Sequence, residues 1–589
     1  MEDNRQQASV KGDKVLEKPT SWLTGTSSGN NILGQTKQTG SSALKLDKAM
    51  RLAKQRANEG CLEQAKLIYQ DILAKFPKNK RAQQRLVALN KLQPPALSPH
   101  PYKENIDQLI NLYNQGNFAA VIEFAEKLTQ KYPKAFDVWN YLGAANKRLG
   151  LIPEASKAFK KVTELNPNYA EGYNNMGVVL RQQGDREAAL KAYKKALLLK
   201  PNFAEVYDNL GVVLIELGHL EEAIKIYEKG LSIKPDNAEA HNNIGIALKN
   251  QGKIEEAINA YKKAISIKAD FAKAHLNLSF AFLNIGNWKK GLDEYEWRWE
   301  TPNNFYQRRH FQQPMWDGKK ILKDKTILVW GEQGPQDIII WSSAMEYLSS
   351  LSDHCIFECP EKLVPLLSRS LPNITVEAEN RSLDHNRDDF DLHIPIGSIF
   401  KCFFSKISKR RRCEPFLKTD VKRVNFWKTR LSSLGAGPFV GISWKSPVMS
   451  IDRLPNYSDI MNWEAVLSIP NITFINLQST DFKNDLRWVQ DNFGVKVHNF
   501  EDLDHYDNLD DVAALCKALD TCISVSTAVA AIASGVGTST KILSWKQSPW
   551  NNFLLAPCGP SVNTYERNTW EPWSIVLERI ANDLKTSYF

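Results

Sequence analysis

The chain has 589 residues, of which 43% are hydrophobic and 24% are charged. That length exceeds what one hydrophobic core supports, so the sequence predicts two or more domains. The formal charge of +10 is small for this size and does not by itself indicate a nucleic-acid-binding protein. The start lacks a basic region followed by an apolar run, and no stretch reaches about 18 apolar residues. We therefore expect a cytoplasmic protein without a secretory signal or a membrane span.

The eight cysteines are scattered along the chain and do not have the spacing of a zinc site. Reduced thiols in a reducing compartment are the expected state.

The N-terminal residues 1–45 are rich in glycine, serine, threonine, glutamine and lysine. They contain too little apolar surface to offset the entropy of ordering, which predicts a disordered tail.

A repeat with a period of 34 residues follows the tail. Six glycines keep this step: Gly116, Gly150, Gly184, Gly218, Gly252 and Gly286. The period is typical of tetratricopeptide repeats (TPR), in which each unit is a pair of helices. In the unit that begins at Ala170, Gly177 is the small residue where the helices touch, and Gly184 makes the turn between them. The sequence predicts an all-α solenoid over residues 46–305, with about seven units and a linker near 91–101.

Asparagine recurs at the sixth position of successive units, at Asn175, Asn209, Asn243 and Asn277. One amide per unit on the same helix face forms a ladder that can donate and accept hydrogen bonds along an extended peptide backbone. This interpretation predicts a groove that binds a protein or peptide partner. The alternative is that asparagine at this position only stabilises neighbouring helices.

The last unit ends in "GLDEYEWRWE", in which Tyr295, Trp297 and Trp299 alternate with charged residues. A terminal unit must cover the end of a solenoid or dock it against another structure. We interpret this segment, together with residues 306–322, as the junction to a second domain.

From about Lys323 the helical period gives way to short apolar segments that alternate with helical ones. This order predicts parallel α/β sheets. Two such runs, about 323–420 and 436–550, predict two halves that face each other across a cleft, followed by C-terminal helices over 551–589. Ligands bind beyond the carboxyl ends of parallel strands, so the cleft is the expected site.

The repeats, followed by "YEWRW", "MWDG" and "WGEQG", resemble bacterial TPR proteins with a C-terminal glycosyltransferase-like domain. That domain is similar to the lipopolysaccharide heptosyltransferases and, more distantly, to O-GlcNAc transferase. The resemblance covers about residues 102–589 and is looser in the α/β part. It implies an α + α/β fold, in which the all-α TPR solenoid precedes a two-Rossmann GT-B-like domain over 323–589. The asparagine ladder also resembles the one that lines the groove of O-GlcNAc transferase.

The first family loop reads G-E-Q-G-x-G-D and corresponds to "GEQGPQD". The resemblance implies nucleotide-sugar contacts from Gly331, Gln333 and Gly334. It also implies that Asp337 is the general base that takes the proton of the acceptor hydroxyl in an inverting transfer. Gln336 stands where glycine is usual, which stiffens the loop. The alternative for Asp337 is a carboxylate favoured at a helix N-terminus by the dipole.

In the second half, "GISWKS" matches a family strand end that reads G-x-x-W-[KR]. The resemblance implies that Lys445, together with Arg453 in "SIDRLP", holds the donor diphosphate without a metal ion. Gln478 in "NLQS" matches a residue beside the nucleotide base. The alternatives are a solvated lysine at a strand end and an amide in a surface loop.

The segment "SVSTAVAAIASG" lines up with a family loop that reads V-D-T-A-x-x-H-L-A-G. The hydroxyls of Ser526 and Thr527, next to the N–H groups of a helix start, can still hold a phosphate. Ser526 stands in the aspartate position, Ala531 in the histidine position and Ser534 in the glycine position. The charge pattern of a fully equipped donor pocket is missing, and a packed corner without a ligand is the alternative.

The run "KISKRRR" places five basic residues within Lys406–Arg412. A solvated loop is one interpretation, and a surface for a polyanion is the other. No aromatic residues interleave the run, which argues against a nucleic-acid partner.

Two functions of different class follow. The first is an inverting, metal-independent glycosyltransferase that moves a sugar from a nucleotide sugar to a protein or oligosaccharide acceptor in the TPR groove. The second is a non-catalytic scaffold for protein–protein interaction with a degenerate transferase domain. The substituted loop positions favour the second function. The retained "GEQG", Asp337, Lys445 and Gln478 favour the first, and neither implies a cofactor.

Overall fold

A computed structural model of the chain describes residues 42–58, 62–91, 101–301, 308–410, 415–446, 457–480, 482–546, 562–568 and 571–589. The chain divides into two compact units, residues 1–108 and 109–589. Of the predicted disordered tail, residues 1–41 lie outside the described ranges, and α1 begins directly after them. Most of the predicted linker near 91–101 lies outside them as well.

Fifteen α-helices precede the first strand in the described part of the chain. They are α1 (Ser42–Asn58), α2 (Leu62–Lys75), α3 (Lys80–Lys91), α4 (Pro101–Asn114), α5 (Phe118–Lys131), α6 (Phe136–Arg148), α7 (Ile152–Leu165), α8 (Ala170–Gln182), α9 (Arg186–Leu199), α10 (Ala204–Glu216), α11 (Leu220–Ile233), α12 (Ala238–Asn250), α13 (Ile254–Ile267), α14 (Ala272–Asn284) and α15 (Trp288–Tyr295). From α6 onward, the first helix of each unit begins at the residue that the repeat predicts. The predicted all-helical solenoid is confirmed.

Two sequence features set the geometry of each unit. The six turn glycines have positive φ angles between 75° and 86°, a left-handed conformation that favours glycine. Between the helices of one unit, a Cβ atom at Gly177 would lie 2.5 Å from the ring of Tyr193. Only glycine permits this approach, and the same close contact recurs one unit later between Gly211 and Tyr227. The repeated small and large residues therefore fix how the two helices of each unit pack.

The first helices of successive units contact one another, α6 with α8, α8 with α10, α10 with α12 and α12 with α14. Helices that approach each other from unit to unit lie on the shorter side of a curved solenoid. These first helices, which carry the asparagines, therefore line its inner face.

Two parallel sheets follow the solenoid. The first has the order β3-β2-β1-β4 and consists of β1 (Thr326–Trp330), β2 (His354–Cys359), β3 (Thr375–Ala378) and β4 (Leu392–Pro395). The second has the order β10-β9-β8-β5-β6-β7 and consists of β5 (Phe439–Ser443), β6 (Thr473–Asn476), β7 (Val497–His498), β8 (Thr521–Val525), β9 (Ser539–Trp545) and β10 (Val562–Arg567). All neighbouring strands are parallel.

The helices of this region are α16 (Pro335–Ser342), α17 (Met345–Ser349), α18 (Val364–Ser370), α19 (Ile396–Arg410), α20 (Val421–Ser432), α21 (Glu464–Leu467), α22 (Lys483–Phe493), α23 (Leu509–Ala518), α24 (Ala528–Gly535) and α25 (Trp573–Tyr588). Helix α16 packs against α24. One hydrophobic cluster contains Tyr295 of the last solenoid unit, Trp341 of α16 and Ile532 of α24. The last unit and both sheet regions thus contribute to one hydrophobic cluster, and the second sheet has a further cluster of its own.

The prediction of C-terminal helices over 551–589 is wrong in part, because β10 precedes the single helix α25 in the described residues. Strand β10 pairs with β9 and extends the second sheet beyond residue 550. Its sequence, "VNTYER", shows no apolar run because it is an edge strand that is mostly half-buried or exposed.

The junction also adds to the first sheet. The backbone N–H of Trp316 donates to the carbonyl of His393 in β4 at 2.8 Å, and the N–H of His393 donates to the carbonyl of Pro314 at 3.3 Å. Residues 302–307, which include the start of the predicted junction, lie outside the described ranges. The described part of the junction therefore runs along the open edge of β4.

Candidate functional site

Each sheet has one point where its strand order reverses. In the first sheet β1 lies between β2 and β4, and in the second β5 lies between β6 and β8. Parallel sheets bind ligands in the crevice beyond the carboxyl ends of the strands at such a point. The loop Gly331–Gly334 follows β1, whereas Lys445 and Ser526 follow β5 and β8. The predicted site residues are thus distributed over both crevices.

The crevice of the first sheet is filled by a charged side chain of the solenoid. Arg298, which is fully buried, donates two hydrogen bonds of 2.8 Å to the two carboxylate oxygens of Glu332. Glu332 also accepts the backbone N–H of Gly397 at 2.9 Å. Although burial opposes it, the carboxylates of Glu332 and Glu296 raise the pKa of Arg298 above its ordinary value. The guanidinium is therefore a permanent cation at this point.

The rest of the loop is held partly by the same solenoid unit and partly by β2. Gln333 has a φ angle of 67°, in the left-handed region, and its amide donates to the hydroxyl of Tyr295. The N–H of Gly331 donates to the carbonyl of Glu358 at 2.7 Å. Gln333 therefore directs its amide to the last solenoid unit, and its predicted contact with a nucleotide sugar stays a prediction.

Asp337 lies in the first turn of α16, which begins after Gly334, and its side chain is half-buried. A carboxylate at this position is favoured by the helix dipole. One residue earlier, the amide of Gln336 donates to the hydroxyl of Ser526 at 2.8 Å. This hydrogen bond joins the start of α16, directly after the loop that follows β1, to the loop after β8. The structure thus brings the first predicted loop against the second.

Helix α24 begins directly after Thr527, whose hydroxyl lies 3.2 Å from that of Ser524. Thr527 is 9% exposed, and Ala531 and Ser534 are buried more deeply. These two small residues face the core, where α24 packs against α16. Ala531 and Ser534 therefore contribute to the packing of α24.

Lys445 and Asp485 form a half-buried ion pair at the end of β5, with 2.7 Å between Nζ and Oδ2. The indole N–H of Trp444 donates to the same carboxylate oxygen at 2.8 Å. The cation predicted to hold a diphosphate is therefore held beside a carboxylate. Arg453, its predicted companion, lies outside the described residues.

Gln478 is fully buried, so the interpretation of a surface amide is wrong. Its Oε1 accepts the backbone N–H groups of Trp444 and Lys445, both at 3.0 Å, and its Nε2 donates to the carbonyl of Lys445 at 2.8 Å. The side chain thus fixes the bend that follows β5. Its predicted place beside a nucleotide base stays a prediction.

The asparagine ladder is used partly for packing between units. Three sixth-position amides donate to the fifth-position residue of the preceding unit: Asn175 to Asn140 (3.1 Å), Asn209 to Asn174 (3.0 Å) and Asn277 to Asn242 (2.8 Å). The oxygens of these three donor amides have no hydrogen-bond partner among the described residues. Asn243 differs from these three residues. Its oxygen accepts a hydrogen bond from Asn242, and the fifth-position residue of the preceding unit is Asp208 instead of an asparagine.

Sequence reasoning missed a buried charged network in the first sheet. Arg309 of the junction pairs with Glu358 and Asp384, and all three are buried. Beside them, the indole N–H of Trp330 donates to Nδ1 of His393 at 3.2 Å. Burial, with a contribution from Arg309, lowers the pKa of His393 to about 4. No local sequence pattern marks these five residues, because they come from five separate segments of the chain.

The basic run Lys406–Arg412 falls partly on the end of α19 and partly outside the described residues. Its predicted polyanion partner therefore stays a prediction.

In the described part of the chain, no helix combines the length and apolar character needed to cross a membrane. Within the same ranges, no group of three or more histidine, cysteine or acidic side chains is arranged to hold a metal ion.

Two family models described as TPR repeat and tetratricopeptide repeat match the chain, the first at residues 179–218, 213–252 and 247–286 and the second at 158–191. The helical region thus contains tetratricopeptide repeats, matched over residues 158–286. The chain is 29% identical over 287 residues to Protein FlbA of Caulobacter vibrioides, which covers 46% of this chain and 48% of FlbA. The match therefore spans about half the length of that curated relative.

Solved structures similar to this chain include MamA, at 30% identity, with 29% of this chain and 92% of MamA covered and a TM-score of 0.27. They also include YrrB, described as a TPR protein with an unusual peptide-binding site, at 22% identity. That match covers 29% of this chain and 88% of YrrB, with a TM-score of 0.27.

Proposed function

We propose that the inner face of the solenoid binds an extended segment of polypeptide. The observation that supports this best is the set of amide oxygens of Asn175, Asn209 and Asn277, which have no partner among the described residues. Each of these amides is oriented by its bond to the preceding unit, so little side-chain entropy is lost when a peptide N–H binds. The repeats themselves imply a protein or peptide partner.

A random library of 12-residue peptides displayed on phage tests this proposal. We expect the full chain to enrich specific peptides, and the triple variant Asn175→Ala, Asn209→Ala, Asn277→Ala to bind them at least tenfold more weakly, about 1.4 kcal/mol. Asn259→Ala is the matched control, because Asn259 is exposed on the second helix of its unit. Equal binding by the triple variant and the control would place the peptide elsewhere.

We further propose that the α/β region transfers a sugar from a nucleotide sugar to the bound chain. The hydrogen bond between Gln336 and Ser526 supports this, because it joins segments at the carboxyl ends of both sheets. In this proposal Asp337 accepts the proton of the acceptor hydroxyl while that oxygen bonds to the anomeric carbon. The bond from that carbon to the diphosphate breaks at the same time. Lys445 and the start of α24 after Thr527 stabilise the leaving charge.

Calorimetry with UDP-, ADP- and GDP-sugars tests the second proposal. We expect one nucleotide to bind and Lys445→Ala and Thr527→Val each to weaken it by about tenfold or more. Lys325→Ala is the control, since Lys325 forms an exposed ion pair at the opposite, amino end of β1. If the folded wild type binds none of these ligands at millimolar concentration, the α/β region is a scaffold and the groove carries the function.

A further inference from the structure

The two crevices at which parallel sheets hold ligands differ in what occupies them. In the second sheet, the strand ends carry Lys445, Ser526 and Thr527. In the first sheet, the space between the ends of β1 and β4 contains the ion pair of Arg298 and Glu332. A Cβ atom at Gly397 would lie 2.4 Å from Oε1 of Glu332. The crevice is thus closed tightly around a side chain that comes from the solenoid.

Arg298 belongs to a short 3-10 helix, Glu296–Glu300, which follows the last solenoid helix. Besides Glu332, its guanidinium donates to Ser398 at 2.9 Å and to Glu296 at 2.8 Å. Its partners therefore come from the solenoid end, from the loop after β1 and from the start of α19. One buried cation connects all three.

The loop after β1 has little freedom to choose another position. Glu332 is fixed by Arg298, and Gln333 is bound to Tyr295 of the same solenoid unit. The chain then enters α16, whose second residue, Gln336, reaches Ser526 on the second sheet. A shift of the solenoid end would therefore be transmitted through this loop to the contact between the two sheets.

We infer that Arg298 is a positioning residue: from the last solenoid unit it closes the crevice of the first sheet and sets the position of the loop Gly331–Gly334. Through that loop it controls the approach of Gln336 to Ser526. The inference deepens the proposed sugar transfer and rests on it in one respect, because the loop leads directly to the proposed base, Asp337.

Hydrogen exchange measured by mass spectrometry on the full chain tests the inference. The conservative variant Arg298→Lys keeps the charge but loses the bidentate hydrogen bond to Glu332. Arg309→Lys is the matched control, since Arg309 is also buried and paired with two carboxylates in the first sheet. We expect peptides covering residues 331–337 and 524–530 to exchange about tenfold faster in Arg298→Lys, and within about twofold of wild type in Arg309→Lys. Glu332→Gln, which keeps the side-chain shape, is expected to act like Arg298→Lys.

Unchanged exchange at 331–337 in both Arg298→Lys and Glu332→Gln would overturn the inference. So would an equal increase in Arg309→Lys, since it would indicate a general loss of stability. Binding of UDP, ADP and GDP separates the inference from the proposed transfer. If wild type binds one of them, we expect about tenfold weaker binding in Arg298→Lys alone. If wild type binds none, the transfer proposal fails, and the exchange result still decides the role of Arg298.

Discussion

The two parallel sheets have equivalent crevices at the carboxyl ends of their strands, but the crevices differ in which side chains occupy them. The first crevice is filled by Arg298, which is 0% exposed and bound on several sides. The second is bordered by short hydroxyl side chains and by Lys445, whose side chain is 26% exposed. A buried ion pair leaves no room for an outside ligand, whereas a half-exposed pair can exchange a partner. Arg298 thus joins the first sheet to the end of the solenoid, whereas the second sheet has a partly exposed cation at its strand ends.

The largest expected effect concerns the two ion pairs. Arg298→Met leaves the buried carboxylate of Glu332 unpaired, so we expect the free energy of unfolding to fall by about 3–5 kcal/mol. Lys445→Met breaks a half-exposed pair and is expected to cost about 1 kcal/mol or less. Urea unfolding of both variants under identical conditions measures the difference. Equal losses would mean that the two crevices do not differ in the way described.

The stability of the first sheet is expected to depend on pH through His393. The pKa of His393 falls from its ordinary 6.5 to about 4, first because of burial. Between pH 6.5 and about pH 4, this histidine therefore carries a proton in the unfolded chain but not in the folded chain. The stability from this histidine is present above about pH 6.5 and is lost as the pH falls through 4.

We expect the free energy of unfolding of the wild type to drop by roughly 2 kcal/mol more between pH 7 and pH 4.5 than that of His393→Gln. Glutamine keeps an acceptor for the indole N–H of Trp330 but has no group that titrates in this range. Urea unfolding at the two pH values checks this. The same acid sensitivity in the variant would assign the effect to other groups and remove this property from the first sheet.

The smallest expected effect lies where the two sheets meet. Gln336→Ala and Ser526→Ala each remove one side of a single, partly buried hydrogen bond, so each is expected to cost about 1 kcal/mol. The double variant should cost less than the sum of the two, by about 0.5–1 kcal/mol, because the residues interact directly. Additive losses would show that the two loops lie side by side without a productive contact.

From α6 onward, the start of the first helix of each unit could be predicted to the residue, because every unit repeats the same packing. The helix starts at Ala170, Ala204 and Ala238 follow from the glycine turns and the period alone. The buried strands β1, β2, β5, β6, β8 and β9 can also be recognised as short apolar runs, whereas β4, which is equally buried, was not predicted. Edge strand β10 was not, because a half-exposed strand does not need an apolar sequence.

The candidate site was less accessible to sequence reasoning. The loops that meet at Gln336 and Ser526 are separated by 190 residues, so no local pattern shows that they touch. The same holds for Arg298 and Glu332, which carry obvious charges but only pair once the solenoid end reaches the first sheet. Gln478 can be picked out from the sequence, but only the folded structure shows that it is buried and bonded to the backbone after β5.

The shared core of α16 and α24 has a consequence for how this region folds. Trp341 and Ile532 belong to one hydrophobic cluster that also includes Tyr295 from the solenoid end. Neither sheet region can bury its apolar helix surface without the other, so the two should lose structure together. A chain cut between them would expose both surfaces at once and would be prone to aggregate. Each sheet therefore depends on the other to bury the face that carries α16 or α24, although the second sheet also has a separate hydrophobic cluster of its own.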